Sequence, residues 1–260
     1  MNEHFHVAAS HLVATREKRS INKVRLVGID TLSDAYAIQE RTRSLLKASI
    51  VGWKASLLTD GTLLSAPVLE GDSFQSGSTL PIEGRIEHGL ECELAFLIDS
   101  ALPPRPAHGY TQSHVAPHIG AVMPAFETLQ SRLADAFQSH QTHLVADSLG
   151  NGGVVLGVPV YNWQERCVSD IGVTLNLDNR LVFSKRFSHP AGNPFDVVVA
   201  LANHLAERQV VLKPDQFVIT GSYTGAQKVQ AGRQYKAVFD GFAPVTLRVA
   251  AEHEAEPPAR

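Results

Sequence analysis

The sequence predicts an α+β protein, with a small helical N-terminal lobe followed by a larger, mostly antiparallel β body. An amphipathic segment with N-cap residues near the start of the chain favours a helix. After Pro81 the chain instead shows short alternating segments separated by Gly, Pro and Asp, which favours strands. We therefore predict two domains, a helical and α/β lobe over residues 1–80 and a β-rich domain over residues 81–260.

The N-terminal lobe is predicted to contain two helices and one strand. Residues 7–18 form the first predicted helix and residues 33–48 the second, for which Thr31 and Ser33 are candidate N-caps. Residues 50–58 are predicted as a strand that ends at an Asp-Gly turn signal.

The β body is predicted from alternation and turn signals. Its predicted strands cover residues 91–98, 154–160, 171–177, 180–187, 216–220, 234–239 and 244–249. Asp178-Asn179 is a plausible hairpin turn between two of them. Residues 194–208 form a predicted late helix, residues 102–118 a predicted surface loop, and the tail after residue 251 is predicted to be frayed.

Composition indicates a folded intracellular protein. The 260 residues are 44% hydrophobic and 19% charged, and the net charge of −3 comes without a basic block, which argues against nucleic-acid binding. Cys92 and Cys167 form no C-x-x-C, which fits a reducing cytoplasm. We expect no membrane span and no signal peptide, because no apolar run of either kind is present.

The segment over residues 91–98 carries the clearest chemical signal. Side chains alternate across a strand, so Glu91 and Glu93 share one face while Cys92 and Leu94 share the apolar face. Two carboxylates this close raise each other's pKa unless a cation lies between them, and oxygen ligands favour Mg²⁺, Mn²⁺ or Ca²⁺. For this pair alone, a solvated strand face is the more common explanation.

Two further residues are candidates for the same site. Glu127 follows an apolar stretch and is a candidate third carboxylate, or else a glutamate at a helix start. Lys54 lies inside an apolar strand pattern, where it either acts as an acid, a base or an electrostatic clamp, or protects an edge strand.

Candidate substrate-binding residues lie at two turns. Thr220-Gly221-Ser222 follows a predicted strand, and such a turn can present backbone N–H and hydroxyl groups to a carboxylate, although a simple loop is the commoner explanation. Asp147 is a second candidate, with a plain turn former as the more common reading.

Taken together, these segments resemble the 2-keto-4-pentenoate hydratase and 4-oxalocrotonate decarboxylase family of the fumarylacetoacetate hydrolase superfamily. The resemblance runs from about residue 33 to residue 249 and rests on an ordered set of motifs. In chain order these are Asp34-Ala35-Tyr36-Ala37-Ile38-Gln39, Gly52-Trp53-Lys54, Glu91-Cys92-Glu93-Leu94-Ala95-Phe96, Pro124-Ala125-Phe126-Glu127 with Ser131-Arg132, Ala146-Asp147-Ser148 and Thr220-Gly221-Ser222.

The resemblance implies a β-rich mixed roll of the fumarylacetoacetate hydrolase type with a small N-terminal α/β lobe. It also implies that Glu91, Glu93 and Glu127 hold Mg²⁺ or Mn²⁺, that Lys54 is the active-site lysine, and that Ser222 lies by the substrate. Members of the family form homo-oligomers, and association with an enzyme of the same pathway is a further expectation.

One departure from the family pattern bears on the reaction. The family carries an acid in a D-[YF]-G motif, and counting back from Pro81 places it near residues 64–66, where no acid occurs. Glu70 and Asp72 are nearby but out of register. The family's role for that acid is therefore not carried over to this chain.

The function implied is hydration of a 2-hydroxy-2,4-dienoate to a 4-hydroxy-2-oxo acid in aromatic meta-cleavage catabolism. The first alternative is decarboxylation of a 2-oxo diacid such as 4-oxalocrotonate, which needs a second carboxylate pocket. Hydrolysis of an acylpyruvate, with His88 or His118 activating water, is another. A catalytically silent 2-oxo acid binder or partner subunit is the reading from a different class.

Overall fold

The computed structural model, which describes residues 3–17 and 23–251, consists of two mixed β-sheets with helices packed against them. The helices are α1 (Glu3–Glu17), α2 (Leu32–Leu46), α3 (Gln112–Val115), α4 (Gln141–Ala146) and α5 (Pro194–Glu207). The strands are β1 (Ile50–Leu57), β2 (Leu63–Leu69), β3 (Ser73–Gln75), β4 (Thr79–Leu80), β5 (Gly89–Ile98), β6 (Ile119–Leu129), β7 (Asn151–Leu156), β8 (Asp170–Leu177), β9 (Arg180–Ser188), β10 (Phe217–Ile219), β11 (Gln234–Phe239) and β12 (Val245–Val249).

The larger sheet brings together strands that are far apart in the chain. Its order is β2-β1-β10-β5-β6-β7-β3, and the smaller sheet has the order β4-β12-β11-β8-β9. The pairs β1–β10, β3–β7 and β4–β12 are parallel, and the other pairs are antiparallel. The predicted α+β class is therefore confirmed. The division of the chain at residue 80 stays a prediction, and β1 and β2 lie in the same sheet as β5 and β6.

A side-chain cap begins α2 and a residue with a left-handed backbone ends it. Thr31 caps α2, because its side chain accepts the N–H of Asp34 while the Asp34 carboxylate accepts the Thr31 N–H. Lys47 ends α2 in the left-handed region at φ 53°. The first predicted helix corresponds to α1, and its last predicted residue, Lys18, lies outside the described residues.

Each predicted strand has a counterpart in the structure, but four observed strands, the short β3 and β4 and the longer β2 and β6, were not predicted. Both β2 and β6 contain a proline, Pro67 and Pro124, which weakens a strand pattern read from sequence. Pro124 lacks an N–H, yet its carbonyl accepts the N–H of Gly157 at 2.8 Å. The predicted loop over residues 102–118 contains α3 and a short 3-10 turn, and the tail after residue 251 lies outside the described residues.

Both faces of β5 are buried, against different partners. Cys92, Leu94, Phe96 and Ile98 are fully buried in the main core, which the apolar face of α5 also joins. This confirms the apolar face predicted from alternation. The opposite face of the larger sheet carries a smaller apolar cluster that includes Ala95. In the described part of the chain, no helix is long and apolar enough to cross a membrane. The cytoplasmic location stays a prediction.

Candidate metal centre

Three glutamates meet on one face of the β5–β6 pair. Glu91 lies directly opposite Glu127 in the antiparallel register, and Glu93 lies two positions further along the same face. One carboxylate oxygen from each residue lies within 4.8 Å of the other two. The exposed fractions of Glu93 and Glu127 are only 2% and 1%. This arrangement is an oxygen-only donor set of the kind that a hard divalent cation prefers.

The electrostatics of the three carboxylates show an excess of negative charge. Burial, followed by repulsion from Glu127, raises the pKa of Glu91 to about 7. Burial and repulsion from Glu127 and Glu91 raise the pKa of Glu93 well above its usual range. Lys54 acts in the opposite direction on both groups, but less strongly than burial. A bound divalent cation would therefore compete with protons for this cluster.

Lys54 is the cation that faces the cluster from the neighbouring strands. In the register, Lys54 lies opposite Ile219 of β10, and Ile219 lies opposite Ala95 of β5. The Lys54 ammonium donates to Oε1 of Glu127 and to the carbonyl of Leu149 at 3.0 Å, with 11% of its side chain exposed. Since β1 has a paired strand on each side, Lys54 does not protect a sheet edge.

The turn after β10 lies against the carboxylates. The N–H of Gly221 donates to Oε2 of Glu93 at 2.8 Å, with the Gly221 backbone at φ 110°, a conformation that favours glycine. The turn is fixed to β5 on both sides of Cys92, whose carbonyl accepts the N–H of Tyr223 and whose N–H donates to Thr224. The structure thus places a backbone donor where the Thr-Gly-Ser pattern indicates one.

Ser222 completes the group that the structure brings together. Its hydroxyl hydrogen-bonds to Glu91 and lowers the pKa of that carboxyl, and its oxygen also accepts the N–H of Thr224 at 3.2 Å. Of the residues singled out from the sequence, Glu91, Glu93, Glu127, Lys54 and Ser222 therefore converge on one site.

Asn151 is a site residue that the sequence pattern did not reveal. Its Nδ2 donates to Oε1 of Glu127 at 3.1 Å from the start of β7. The glycine-rich segment around Asn151 lacks the G-x-G-x-x-G spacing of a phosphate-binding loop. Its sequence therefore gave no reason to assign Asn151 to a functional site. The pairing of β7 with β6 is what brings the amide to the carboxylate.

Asp147 lies one layer behind this site. Its carboxylate accepts the Ser131 hydroxyl at 2.7 Å, the Arg132 N–H at 2.8 Å and Nε of Arg132 at 2.6 Å. Arg132 in turn donates to the carbonyl of Asn151 at 2.7 Å. The structure therefore connects Asp147 to Glu127 through Arg132 and Asn151, and its direct contact with substrate stays a prediction.

His189 lies beneath the turn that contacts Glu93. Its exposed fraction is 3%, and its ring packs edge-on against Tyr223 with centroids 5.0 Å apart. Nδ1 accepts the N–H of Ala191 at 3.2 Å, which assigns the ring proton to Nε2, facing Gly221. Burial lowers the pKa of His189 to about 4, so the ring is neutral at neutral pH. Among twelve scattered histidines, the sequence gave no signal for it.

The α+β fold of the chain, with its two mixed sheets, is similar to the folds of solved enzymes of the fumarylacetoacetate hydrolase type. A 4-oxalocrotonate decarboxylase from Pseudomonas putida G7, solved with magnesium and adipate, superimposes with a TM-score of 0.82 at 23% identity over 96% of this chain and 98% of that one. A fumarylpyruvate hydrolase from Pseudomonas aeruginosa, solved with Mn²⁺ and pyruvate, gives a TM-score of 0.51 at 15% identity over 77% of this chain and 89% of that one.

Curated relatives confirm the resemblance stated from the sequence. The chain is 24% identical to a 2-oxo-hept-4-ene-1,7-dioate hydratase from Escherichia coli over 95% of this chain and 98% of the relative. It is 25% identical to a 4-oxalocrotonate decarboxylase from Pseudomonas sp. strain CF600 over 84% and 85%. A 2-keto-4-pentenoate hydratase from Burkholderia vietnamiensis is 23% identical over 81% and 83%. No family model matches the chain.

Proposed function

We propose that this chain is a metal-dependent lyase that adds water to a 2-hydroxy-2,4-dienoate and releases a 4-hydroxy-2-oxo acid. The observation that carries the proposal is the convergence of three carboxylates and a buried lysine on one face of the larger sheet. The names of the curated relatives, which are hydratases and decarboxylases that act on 2-oxo acids, support the substrate class.

The residues present fit a divalent cation. Glu91, Glu93 and Glu127 would hold it, because their oxygens are close together and the raised pKa values of Glu91 and Glu93 show that their negative charge is undercompensated. When bound, Mg²⁺ or Mn²⁺ would supply a Lewis acid for the 1-carboxylate and 2-oxygen of the substrate. Solved neighbours that contain magnesium, calcium or Mn²⁺ support a hard cation.

The remaining residues bind the substrate and move protons. Lys54 would donate a proton from Nζ, or relay one, as carbon 5 of the dienol is protonated and the 2-hydroxyl becomes a carbonyl. Water then adds at carbon 4 of the resulting conjugated ketone, so that the product contains the atoms of the dienol plus one water. Ser222 and the backbone of the same turn would orient the substrate carboxylate. These roles of Lys54 and Ser222 are proposals from their position.

Decarboxylation of a 2-oxo diacid is the second candidate, and two curated relatives with that name favour it. A cation held by the same cluster would supply the electron sink, and carbon dioxide would leave while a proton takes its place on the substrate, with no water added. For hydrolysis of an acylpyruvate, His118 is unsuitable, since it lies at the opposite end of β6, roughly 30 Å along the strand from Glu127. Homo-oligomer formation and association with a pathway enzyme stay predictions.

The test is to identify the product formed by the metal-loaded protein from matched substrates. The purified chain is incubated with Mg²⁺ and either 2-hydroxypenta-2,4-dienoate or 4-oxalocrotonate, and products are followed by ultraviolet absorbance and NMR. Formation of 4-hydroxy-2-oxopentanoate from the dienoate supports hydration, whereas carbon dioxide release from the diacid supports decarboxylation. Binding of both acids without turnover of either would instead identify a silent binder.

A further inference from the structure

His189 is a buried histidine that three hydrogen bonds hold in place directly after β9. Its N–H donates to the carbonyl of Ser169 at 2.8 Å, and its own carbonyl accepts the N–H of Gly192 at 2.7 Å. On the ring, Nδ1 accepts the N–H of Ala191 at 3.2 Å. The fold therefore sets the direction in which the second ring nitrogen, Nε2, points.

Tyr223 connects this histidine to the strand that supplies the carboxylates. Its ring lies edge-on against His189, and its hydroxyl donates to the carbonyl of Val168 at 2.5 Å. The next carbonyl along the chain, that of Ser169, accepts the N–H of His189. The N–H of Tyr223 donates to the carbonyl of Cys92 in β5 at 2.9 Å. The segment just before β8 thus anchors both rings, and Tyr223 joins that anchor to β5.

The Nε2 atom of His189 has no hydrogen-bond acceptor among the residues that the structure describes. Burial lowers the pKa of His189 to about 4, so the ring is neutral at neutral pH and carries its one proton on Nε2. The carbonyls of Gly221 and Thr220 face the ring and oppose this lowering of the pKa. A buried donor without an acceptor is costly, and these carbonyls are the acceptors that the fold presents to it.

The two carbonyls belong to the peptide units on either side of Gly221. A trans peptide directs its C=O and its N–H to opposite sides, and none of the described peptide bonds is cis. With the carbonyl of Thr220 turned to His189, the N–H of Gly221 points to the far side, where it donates to Oε2 of Glu93 at 2.8 Å. His189 and Glu93 therefore lie at the two ends of one peptide unit.

Gly221 itself offers little resistance to rotation of these peptide units, because glycine adopts positive and negative φ about equally. A reversed unit would turn a carbonyl towards the Glu93 carboxylate, and two acceptors would then face each other. A donor on the carbonyl side prevents this reversal. It also polarises the peptide, which strengthens the N–H as a donor to the carboxylate.

We propose that His189 is a positioning residue of the cation site, whose Nε2–H donates to the turn carbonyls of Thr220 and Gly221 when the site is loaded and keeps the N–H of Gly221 on Glu93. The inference rests on the proposed function, because it takes Glu93 as a ligand of the cation. Groups that hold metal ligands from behind set the orientation of those ligands. His189 acts in this way through the backbone of the turn.

Two substitutions separate the Nε2 donor from the rest of the side chain. The amide of an asparagine reaches the position of Nδ1 and leaves no donor at Nε2, whereas the amide of a glutamine reaches Nε2 and restores one. The metal-stripped full chains are titrated with Mn²⁺ by calorimetry. We expect His189→Asn to bind Mn²⁺ about tenfold more weakly than the wild type, and His189→Gln to stay within about threefold of it. His118→Asn, at the opposite end of β6, is the matched control and keeps the wild-type affinity.

The outcomes separate this inference from the proposed function. Equal Mn²⁺ affinities of His189→Asn and His189→Gln, whether unchanged or lowered, would overturn the inference, because a purely structural loss does not depend on where the donor lies. The cation site would then still stand. Failure of the wild type to bind Mn²⁺ would overturn the cation site and the inference together.

NMR of the wild type tests the inference if His189→Asn does not fold. The chain is labelled with ¹⁵N at histidine and measured with and without Mg²⁺, and the signal of His189 is assigned by its absence from His189→Gln. We expect a proton on Nε2 that exchanges slowly with solvent and whose resonance moves downfield when Mg²⁺ is added, as the hydrogen bond to the turn shortens. A proton on Nδ1, or an Nε2–H resonance that Mg²⁺ leaves unchanged, would contradict the inference.

Discussion

Lys54 is a buried lysine whose ammonium group pairs with a buried carboxylate. Its ammonium lies among carboxylates in the interior of a sheet, where an uncompensated charge would be costly. The carboxylate of Glu127 compensates it. The lysine is therefore held at the proposed substrate site by its contact with Glu127.

Replacing Lys54 with methionine is expected to lower kcat by about 100-fold, because proton transfer loses its positioned group. Loss of the ammonium also removes the group that lowers the pKa values of Glu91 and Glu93. Steady-state kinetics on the dienoate with saturating Mg²⁺ measures the effect. Lys236→Met, at an exposed position of β11, is the matched control. Turnover by Lys54→Met at the wild-type rate would exclude the assigned role.

Glu91 gives the metal-free protein a characteristic dependence on pH. Its pKa is raised from 4.5 in the unfolded chain to about 7 in the folded one, so the folded chain binds this proton more tightly. Through Glu91, the free energy of unfolding therefore falls as pH rises from about 4.5 to about 7. His189 acts in the opposite direction, because its pKa is lowered from 6.5 to about 4 and its contribution is lost as pH falls through that interval.

Thermal unfolding of the wild type and Glu91→Gln, with and without Mg²⁺, tests this dependence. Without metal, the variant is expected to gain stability relative to the wild type as pH rises towards 7, because it carries no charge to bury. His189 contributes equally to both proteins and cancels in the difference. Added Mg²⁺ should stabilise the wild type more at pH 8 than at pH 5, since protons compete with the metal. A pH-independent difference would contradict the assignment.

At the scale of elements, the turn after β10 is the part of the site that depends most on backbone geometry. Gly221 places its N–H on Glu93 with φ 110°, and a Cβ there would lie 3.7 Å from Nε2 of His189. An alanine fits the space but not the backbone conformation. The substitution is therefore expected to act through strain and displacement of the N–H.

Gly221→Ala is expected to destabilise the chain by about 1–3 kcal/mol and to weaken Mg²⁺ binding. Gly61→Ala is the matched control, because Gly61 also has a positive φ, 84°, with nothing within 4 Å of the added carbon, in the turn between β1 and β2. Both variants should melt at lower temperature, but only Gly221→Ala should bind Mg²⁺ less tightly by calorimetry. Equal Mg²⁺ affinities of Gly221→Ala and Gly61→Ala would show that the turn does not contribute to metal binding.

Strand β5 could be predicted from the sequence because its pattern is local. Glutamates and apolar residues alternate over residues 91–98, and the structure places them on opposite faces. Strand β6, which supplies Glu127, was not predicted, because Pro124 interrupts its pattern. Glu127 was assigned through family resemblance, and its pairing with Glu91 depends on a register that one sequence does not specify.

At the scale of the whole molecule, the site depends on contacts between distant parts of the chain. The parallel pairing of β1 with β10 joins residues 52–54 to residues 217–219, and this pairing carries Lys54 to the carboxylates. Local patterns gave the class of fold and the candidate donors, but long-range topology determines which of them meet.

The central claim is that Glu91, Glu93 and Glu127 form a divalent cation site, and calorimetric titration of the metal-stripped chain with Mn²⁺ tests it most directly. The account predicts saturable binding of one ion by the wild type. Glu127→Gln should lose this binding, and Glu165→Gln, at an exposed glutamate outside the cluster, should retain it. Absence of binding by the wild type, or equal binding by Glu127→Gln, would contradict the account.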